Sequence, residues 1–335
     1  MAPKAISPSI ESLLALPPEH PKSWVLGSNP RVARIASHAE KAAEVQCPVL
    51  FTGETGTGKE VWARLLHELG PRRDQLFVPV NCAALTPTLA ESQLFGHEKG
   101  AFTGAAGASL GVFRAGEGGI VFLDEVGEMP ADLQPKLLRV LQENEVTPVG
   151  ASRPVSVDVQ IVAATNRDLE AEVAAGRFRE DLYYRLNMVE LDVPPLRHRA
   201  DDIPRFIDYF SYKYAAKYNR RQWQPSADRL RDFCEYHWPG NIRQLGHVIE
   251  QAYVLDCEPS IPSLRSRSNV DPALPFTNLV KLRRVAVKQA LHATRGHKGR
   301  AAKMLGIHAN TMTRLLAQID GQNGEEELRS TDRIS

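Results

Sequence analysis

The chain has 335 residues, with 41 Lys and Arg against 40 Asp and Glu. That length allows two or three domains with a sizeable core, and the balanced charge excludes a polyanion or polycation, so any nucleic-acid affinity must come from local clustering. Four scattered cysteines without a Cys-x-x-Cys pair fit reduced thiols better than a disulfide framework or zinc site; no apolar run approaches the ~20 residues of a bilayer span, and no signal-peptide core opens the chain, so a cytoplasmic protein without membrane association is expected.

Residues 1–24 hold five prolines and little periodicity, and read as a flexible arm, with no sensory domain ahead of the first folded domain. From Val25 to about Val193 short apolar runs alternate with helical stretches. This is the pattern of an α/β fold with a mostly parallel sheet and helices on both faces. The expected strands are Pro48–Phe51, Phe77–Val80, Ile120–Leu123, Val159–Ala163 and Val189–Val193, and Pro194-Pro195 closes this domain at 195. Residues 196–257 read as a smaller helical subdomain, with Ile203, Phe206, Ile207 and Phe210, then Ile242, Leu245, Val248 and Ile249, at helical spacing. Residues 258–275 form a Pro/Ser-containing linker, 276–320 a basic helical domain, and 321–335 a polar tail.

Within the first domain, Gly53-Glu54-Thr55-Gly56-Thr57-Gly58-Lys59-Glu60 lies between an apolar strand and an amphipathic helix. Glycines let backbone N–H groups turn toward an anion, the helix N-terminus adds positive potential, and Lys59 is placed to reach outer phosphates. The last position usually carries a Ser or Thr hydroxyl for Mg²⁺; here it is Glu60, which leaves that role open. Some 70 residues on, Ile120-Val121-Phe122-Leu123 delivers Asp124 and Glu125 to the sheet edge. Such a pair suits Mg²⁺ coordination by the first acid and polarisation of an attacking water by the second. Another strand ends at Asn166, a candidate for orienting that water or for sensing the γ-phosphate.

The order of phosphate loop, acid-tipped strand, polar-tipped strand and helical lid resembles the AAA+ P-loop ATPases. Within them, Gly100-Ala101-Phe102-Thr103-Gly104-Ala105 is an intact GAFTGA motif, similar to the hallmark of the sigma-54-dependent activators. Stretches 81–85, 178–187 and 238–243 match as well. Glu60 is also the family's residue at its position. The resemblance implies ATP with Mg²⁺ held by Asp124, and catalysis by Glu125. It further implies that Asn81 restrains Glu125, that Arg179 and Arg185, placed on one helix, reach into a neighbouring subunit's site, and that Arg243 senses nucleotide from the lid. Fingers supplied in trans require a homo-oligomer, and the resemblance implies a hexameric ring; a dimer through Asn278–Arg295 is a separate expectation, since a C-terminal module of about 45 residues buries little apolar surface alone. The GAFTGA loop is expected to be mobile, with an exposed Phe102 that grips sigma-54.

From Phe276 to Ile319 there is no Asp or Glu, against nine Lys and Arg, a density suited to phosphate contact. Arg300–Leu305 reads as a helix, Gly306-Ile307-His308 as a turn and Ala309–Leu316 as a second helix. This is a helix-turn-helix, and it resembles the Fis-type module of the same activators. Arg300, Asn310, Thr311, Thr313 and Arg314 are the candidate contacts to double-stranded DNA at an upstream site. The function implied is ATP-driven remodelling of the sigma-54 RNA polymerase closed complex. A remodeller of another protein and a repressor with an idle ATPase are the alternatives that the intact motif speaks against. Control by a separate regulatory protein is one of several options the sequence leaves open.

Overall fold

The computed structural model describes residues 26–261, 287, 290, 294, 296–305 and 311–313, and the chain divides into two units, one ending at Ile261 and the other beginning at Pro262. The arm 1–24, most of the linker and the tail 321–335 lie outside the described residues.

The first unit is built on a five-stranded parallel sheet in the order β2-β3-β6-β1-β7, with β1 Val49–Thr52, β2 Phe77–Asn81, β3 Ile120–Asp124, β6 Gln160–Thr165 and β7 Val189–Asp192. All five expected strands are present, with ends moved by one or two residues. A two-stranded antiparallel pair, β4 Glu145–Val146 and β5 Val155–Ser156, was not anticipated. In chain order the helices are α1 Pro30–Val45, α2 Lys59–Leu69, α3 Pro87–Phe95, α4 Gly111–Ala115, α5 Gln134–Glu143, α6 Leu169–Ala174, α7 Glu180–Leu186, α8 Ile203–Tyr218, α9 Ala227–Glu235 and α10 Asn241–Leu255.

Alternation along the strands splits the interior into two cores. Ile120 and Phe122 pack with Val49, Phe51, Val162 and Ala164 under α1 and α2. Val121 and Leu123 face the other way, with Leu50, Ile161 and Ala163, against residues of α3, α5 and α7. A strand buried on both faces has no polar side to alternate, which is why these segments read as unbroken apolar runs. Register aligns their carboxyl ends: Asn81 lies opposite Asp124, and Thr52 opposite both Thr165 and Asp192. Polar groups therefore collect along one edge, where ligands bind in open α/β sheets.

The helical subdomain closes over α8, α9 and α10 around Leu196, Phe206, Ile207, Phe233, Trp238, Leu245 and Ile249. Trp238 is fully buried, and its indole Nε1 donates to Phe233 O at 2.7 Å. Buried Asp202 accepts from Ser28 N at 2.5 Å and Asn29 N at 3.2 Å, which ties the entry of α1 to this subdomain.

In the second unit, helix α11 spans Lys298–Met304, two residues ahead of the expected start. Thr311–Thr313 is helical, and Val287, Ala290, Ala301, Ala302 and Met312 form a small buried cluster. Asn310, Arg314, the expected turn at 306–308 and the rest of the second helix fall outside the described residues.

Candidate active site

Strand β1 ends at Thr52, the loop occupies 53–58, and α2 begins at Lys59. Gly56 (φ 82°) and Gly58 (φ 100°) take left-handed conformations that side chains resist, and a Cβ on Gly56 would run into the Gly240 carbonyl. Gly58 caps α2 without a side-chain hydrogen bond, so the first N–H groups of that helix are left for an anion. Thr57 Oγ1 donates to Glu54 O at 2.8 Å and braces the turn. Lys59, 6% exposed, folds its Nζ onto Gly53 O at 2.8 Å and Glu54 O at 3.2 Å. Burial lowers the Lys59 pKa, while Glu125 and Asp124 nearby push it back up.

Asp124 and Glu125 stand beside this lysine. Burial raises the Asp124 pKa, the adjacent Glu125 adds to the rise, and Lys59 opposes it. Glu125 sits at φ 52°, an uncommon conformation for a side-chain-bearing residue; such strain clusters at functional sites. Its Oε2 accepts from Asn166 N at 3.1 Å, and Asn166 Nδ2 donates to Thr55 Oγ1 at 2.9 Å. One residue thus links the phosphate loop to the second acid. Asn81, level with Asp124, accepts through Oδ1 from Ala83 N at 2.9 Å.

A cleft of about 470 Å³ joins Thr55, Gly56, Gly58, Lys59, Glu60, Asp124 and Glu125 to Arg243 and the aromatic side chains Phe210 and Tyr214 of the helical subdomain. Arg243 N donates to Gly56 O at 3.2 Å, and its side chain is exposed. Glu60 points along α2 into a pair with Arg64, with hydrogen bonds of 2.7 and 3.1 Å. A larger depression of about 910 Å³ around Asn219–Gln224 contains none of these groups.

Three residues that the sequence reading passed over brace the loop. Arg197 pairs with Glu54, and Asn241 donates to Glu54 Oε2 and Thr55 O, both at 3.1 Å. Arg199, 1% exposed, donates to Thr57 O at 2.9 Å; burial pulls its pKa down to about 10. Only Asn241 carried a signal in the sequence, as part of the matching stretch at 238–243.

Arg179 and Arg185 do not line the cleft of their own chain. They also do not share a helix as expected: Arg179 precedes α7 as its cap and pairs with Asp181 at 2.7 and 3.0 Å, while Arg185 is exposed in the last turn. The backbone at Arg179 is extended because its carbonyl begins the helix rather than continuing it.

In the GAFTGA loop, Gly100 (φ 82°) and Gly104 (φ 108°) bound a tight turn closed by Gly100 N to Ala105 O and Ala105 N to Phe102 O, both 3.0 Å. Thr103 and Gly104 are exposed, Ala101 is half-buried and Ala105 buried. Phe102 is half-buried rather than exposed, because its ring meets the His97 ring edge-on at 5.0 Å. That contact gives an apolar ring partial cover. In the second unit Arg300 and Thr313 are exposed and Thr311 half-buried.

Comparison with known proteins agrees with this geometry. Residues 25–192 match the family described as the sigma-54 interaction domain, 197–265 an AAA+ ATPase lid domain, and 284–318 a bacterial regulatory protein module of the Fis family. The response regulator protein PilR of Pseudomonas aeruginosa is 42% identical over 304 residues, which cover 86% of this chain and 68% of PilR. The DNA-binding transcriptional activator HyfR of Escherichia coli is 47% identical over 252 residues, 75% of this chain and 38% of HyfR. The crystal structure of NtrX from Brucella abortus in complex with ADP superposes with a TM-score of 0.72 at 29% identity, covering 88% of this chain and 68% of that one. With its AAA+ P-loop domain, lid and Fis-type helix-turn-helix, the chain belongs to the family of sigma-54-dependent transcriptional activators.

Proposed function

We propose that the chain binds upstream double-stranded DNA and uses ATP hydrolysis in a ring of its own copies to convert a sigma-54 RNA polymerase closed complex into an open one. The observation that carries this reading is the link from Thr55 through Asn166 to Glu125, which puts the phosphate loop and the second acid in one hydrogen-bonded unit. The loop 53–58 with Lys59 holds the phosphates, and Arg243 addresses them from the lid. Asp124 is the residue suited to a Mg²⁺ ion. Among the described residues no group of three or more His, Cys, Asp or Glu could hold a metal by itself; a Mg²⁺ ion here would be held by Asp124 together with the bound nucleotide. When bound, Mg²⁺ supplies charge neutralisation at the phosphates.

Glu125 takes a proton from the attacking water as the water oxygen bonds to the γ-phosphorus and ADP departs. Asn166 fixes the Glu125 carboxylate, and Asn81 restrains Glu125 before the target engages. Arg179 and Arg185, absent from their own cleft, serve the neighbouring subunit's site. The Gly100–Ala105 loop contacts sigma-54. Arg300, Asn310, Thr311, Thr313 and Arg314 face DNA from a domain at 276–320, joined by a linker at 258–275 to the ATPase domain 25–195 and its lid 196–257. A regulatory protein acting in trans is one route of control.

Thr103→Ala tests the coupling. Thr103 is exposed and does not line the cleft, so the expected result is retained ATP turnover with open-complex formation lost. Undiminished transcription from a sigma-54 promoter would remove the loop from the mechanism.

A further inference from the structure

Glu54 is out of place in a phosphate cradle. Positive potential favours an anion there, and a carboxylate at the second loop position opposes it. The fold turns that carboxylate toward the start of the helical subdomain. Arg197 Nη1 and Nη2 donate to Glu54 Oε2 and Oε1 at 2.8 and 2.6 Å, the two-pronged geometry in which guanidinium and carboxylate match best. Fully buried Asn241 adds a third contact to Glu54 Oε2 at 3.1 Å. The same amide also donates to Thr55 O at 3.1 Å and accepts from Leu196 N at 2.8 Å. Hydrogen bonding from Arg197 holds the Glu54 carboxyl at a pKa of about 2, so the charge persists and is cancelled where it stands. Arg197 lies just past Pro194-Pro195, and Asn241 opens α10. The clasp therefore joins the loop to both segments by which the lid meets the nucleotide domain.

We propose that Arg197 is a positioning residue for nucleotide binding: its pairing with Glu54 neutralises the one adverse charge of the phosphate loop and keys that loop to the lid. This rests on the nucleotide-site reading above. A purely structural contact and a charge-cancelling one differ in what happens when both partners are removed. If Arg197 acts by cancelling charge, its loss leaves an unpaired carboxylate on the phosphate loop, and removing that carboxylate too relieves the defect.

The test is calorimetric titration of the full chain with ADP. Arg197→Ala weakens ADP binding about tenfold, a modest figure because both side chains are more than a third exposed and water screens them. Arg197→Lys, which keeps the positive charge, recovers most of the affinity, and so does the double variant Glu54→Gln with Arg197→Ala. Added salt narrows the gap between Arg197→Ala and the parent. A double variant as weak as Arg197→Ala, or an Arg197→Ala chain that binds like the parent, overturns the assignment while leaving the nucleotide site standing. A parent chain that binds no ADP overturns both.

Discussion

Replacing Lys59 by Met tests the centre of the proposed site. The change keeps the aliphatic stem, which is buried in the first helical turn, and removes only the ammonium. A unit charge about 4 Å from a phosphate oxygen contributes about 4 kcal/mol at the effective dielectric of a protein surface. To reach a phosphate, Nζ must leave Gly53 O and Glu54 O, two hydrogen bonds with a net value of about 1 kcal/mol each. The difference, about 2 kcal/mol, sets a lower bound of roughly thirtyfold on the loss of ADP affinity, and the gross term an upper bound near a thousandfold. Titration calorimetry with ADP reads the loss directly, and thermal melting checks the fold. ADP affinity within threefold of the parent, in a folded variant, would refute the reasoning.

Two other substitutions have signs fixed by the structure. Asp124 has a folded pKa above its ordinary 3.8, caused first by burial. As pH rises past 3.8 the unfolded chain loses this proton before the folded one, so ionised Asp124 reduces stability above that window; Asp124→Asn is expected to raise the melting temperature at neutral pH, lose that advantage below about pH 3.8, and abolish ATP turnover. An unchanged or lower neutral-pH melting temperature would contradict the burial argument. Trp238→Ala empties a fully buried site and orphans the Phe233 carbonyl while removing ring contacts to Phe233 and Tyr236. Urea denaturation should register a loss of about 3–5 kcal/mol, and a loss below about 1 kcal/mol would mean the lid does not depend on this ring.

Much of the site could be read along the chain because its parts are local. The phosphate loop is six residues between a strand and a helix, and each acid or amide ends or directly follows the strand that carries it. Glycines at 53, 56 and 58 announce positive φ before any tertiary contact is known. The β4–β5 pair gave no such warning, since two-residue strands have no period to detect. Phe102 read as exposed because its flanking glycines are visible in sequence, whereas its cover, His97, depends on how the loop folds back.

The five strands, the turn chemistry at the phosphate loop and the residue types at the sheet edge are legible in the chain alone, because apolar runs, glycine positions and strand ends are properties of neighbours. Tertiary structure alone decided which of those residues meet. Glu54 lies 143 residues from Arg197 and 187 from Asn241, and Asn166 is 111 residues from Thr55. Such pairs exist only after parallel strands cross over in the order β2-β3-β6-β1-β7 and the lid packs against the loop, since no local preference specifies a partner that far away.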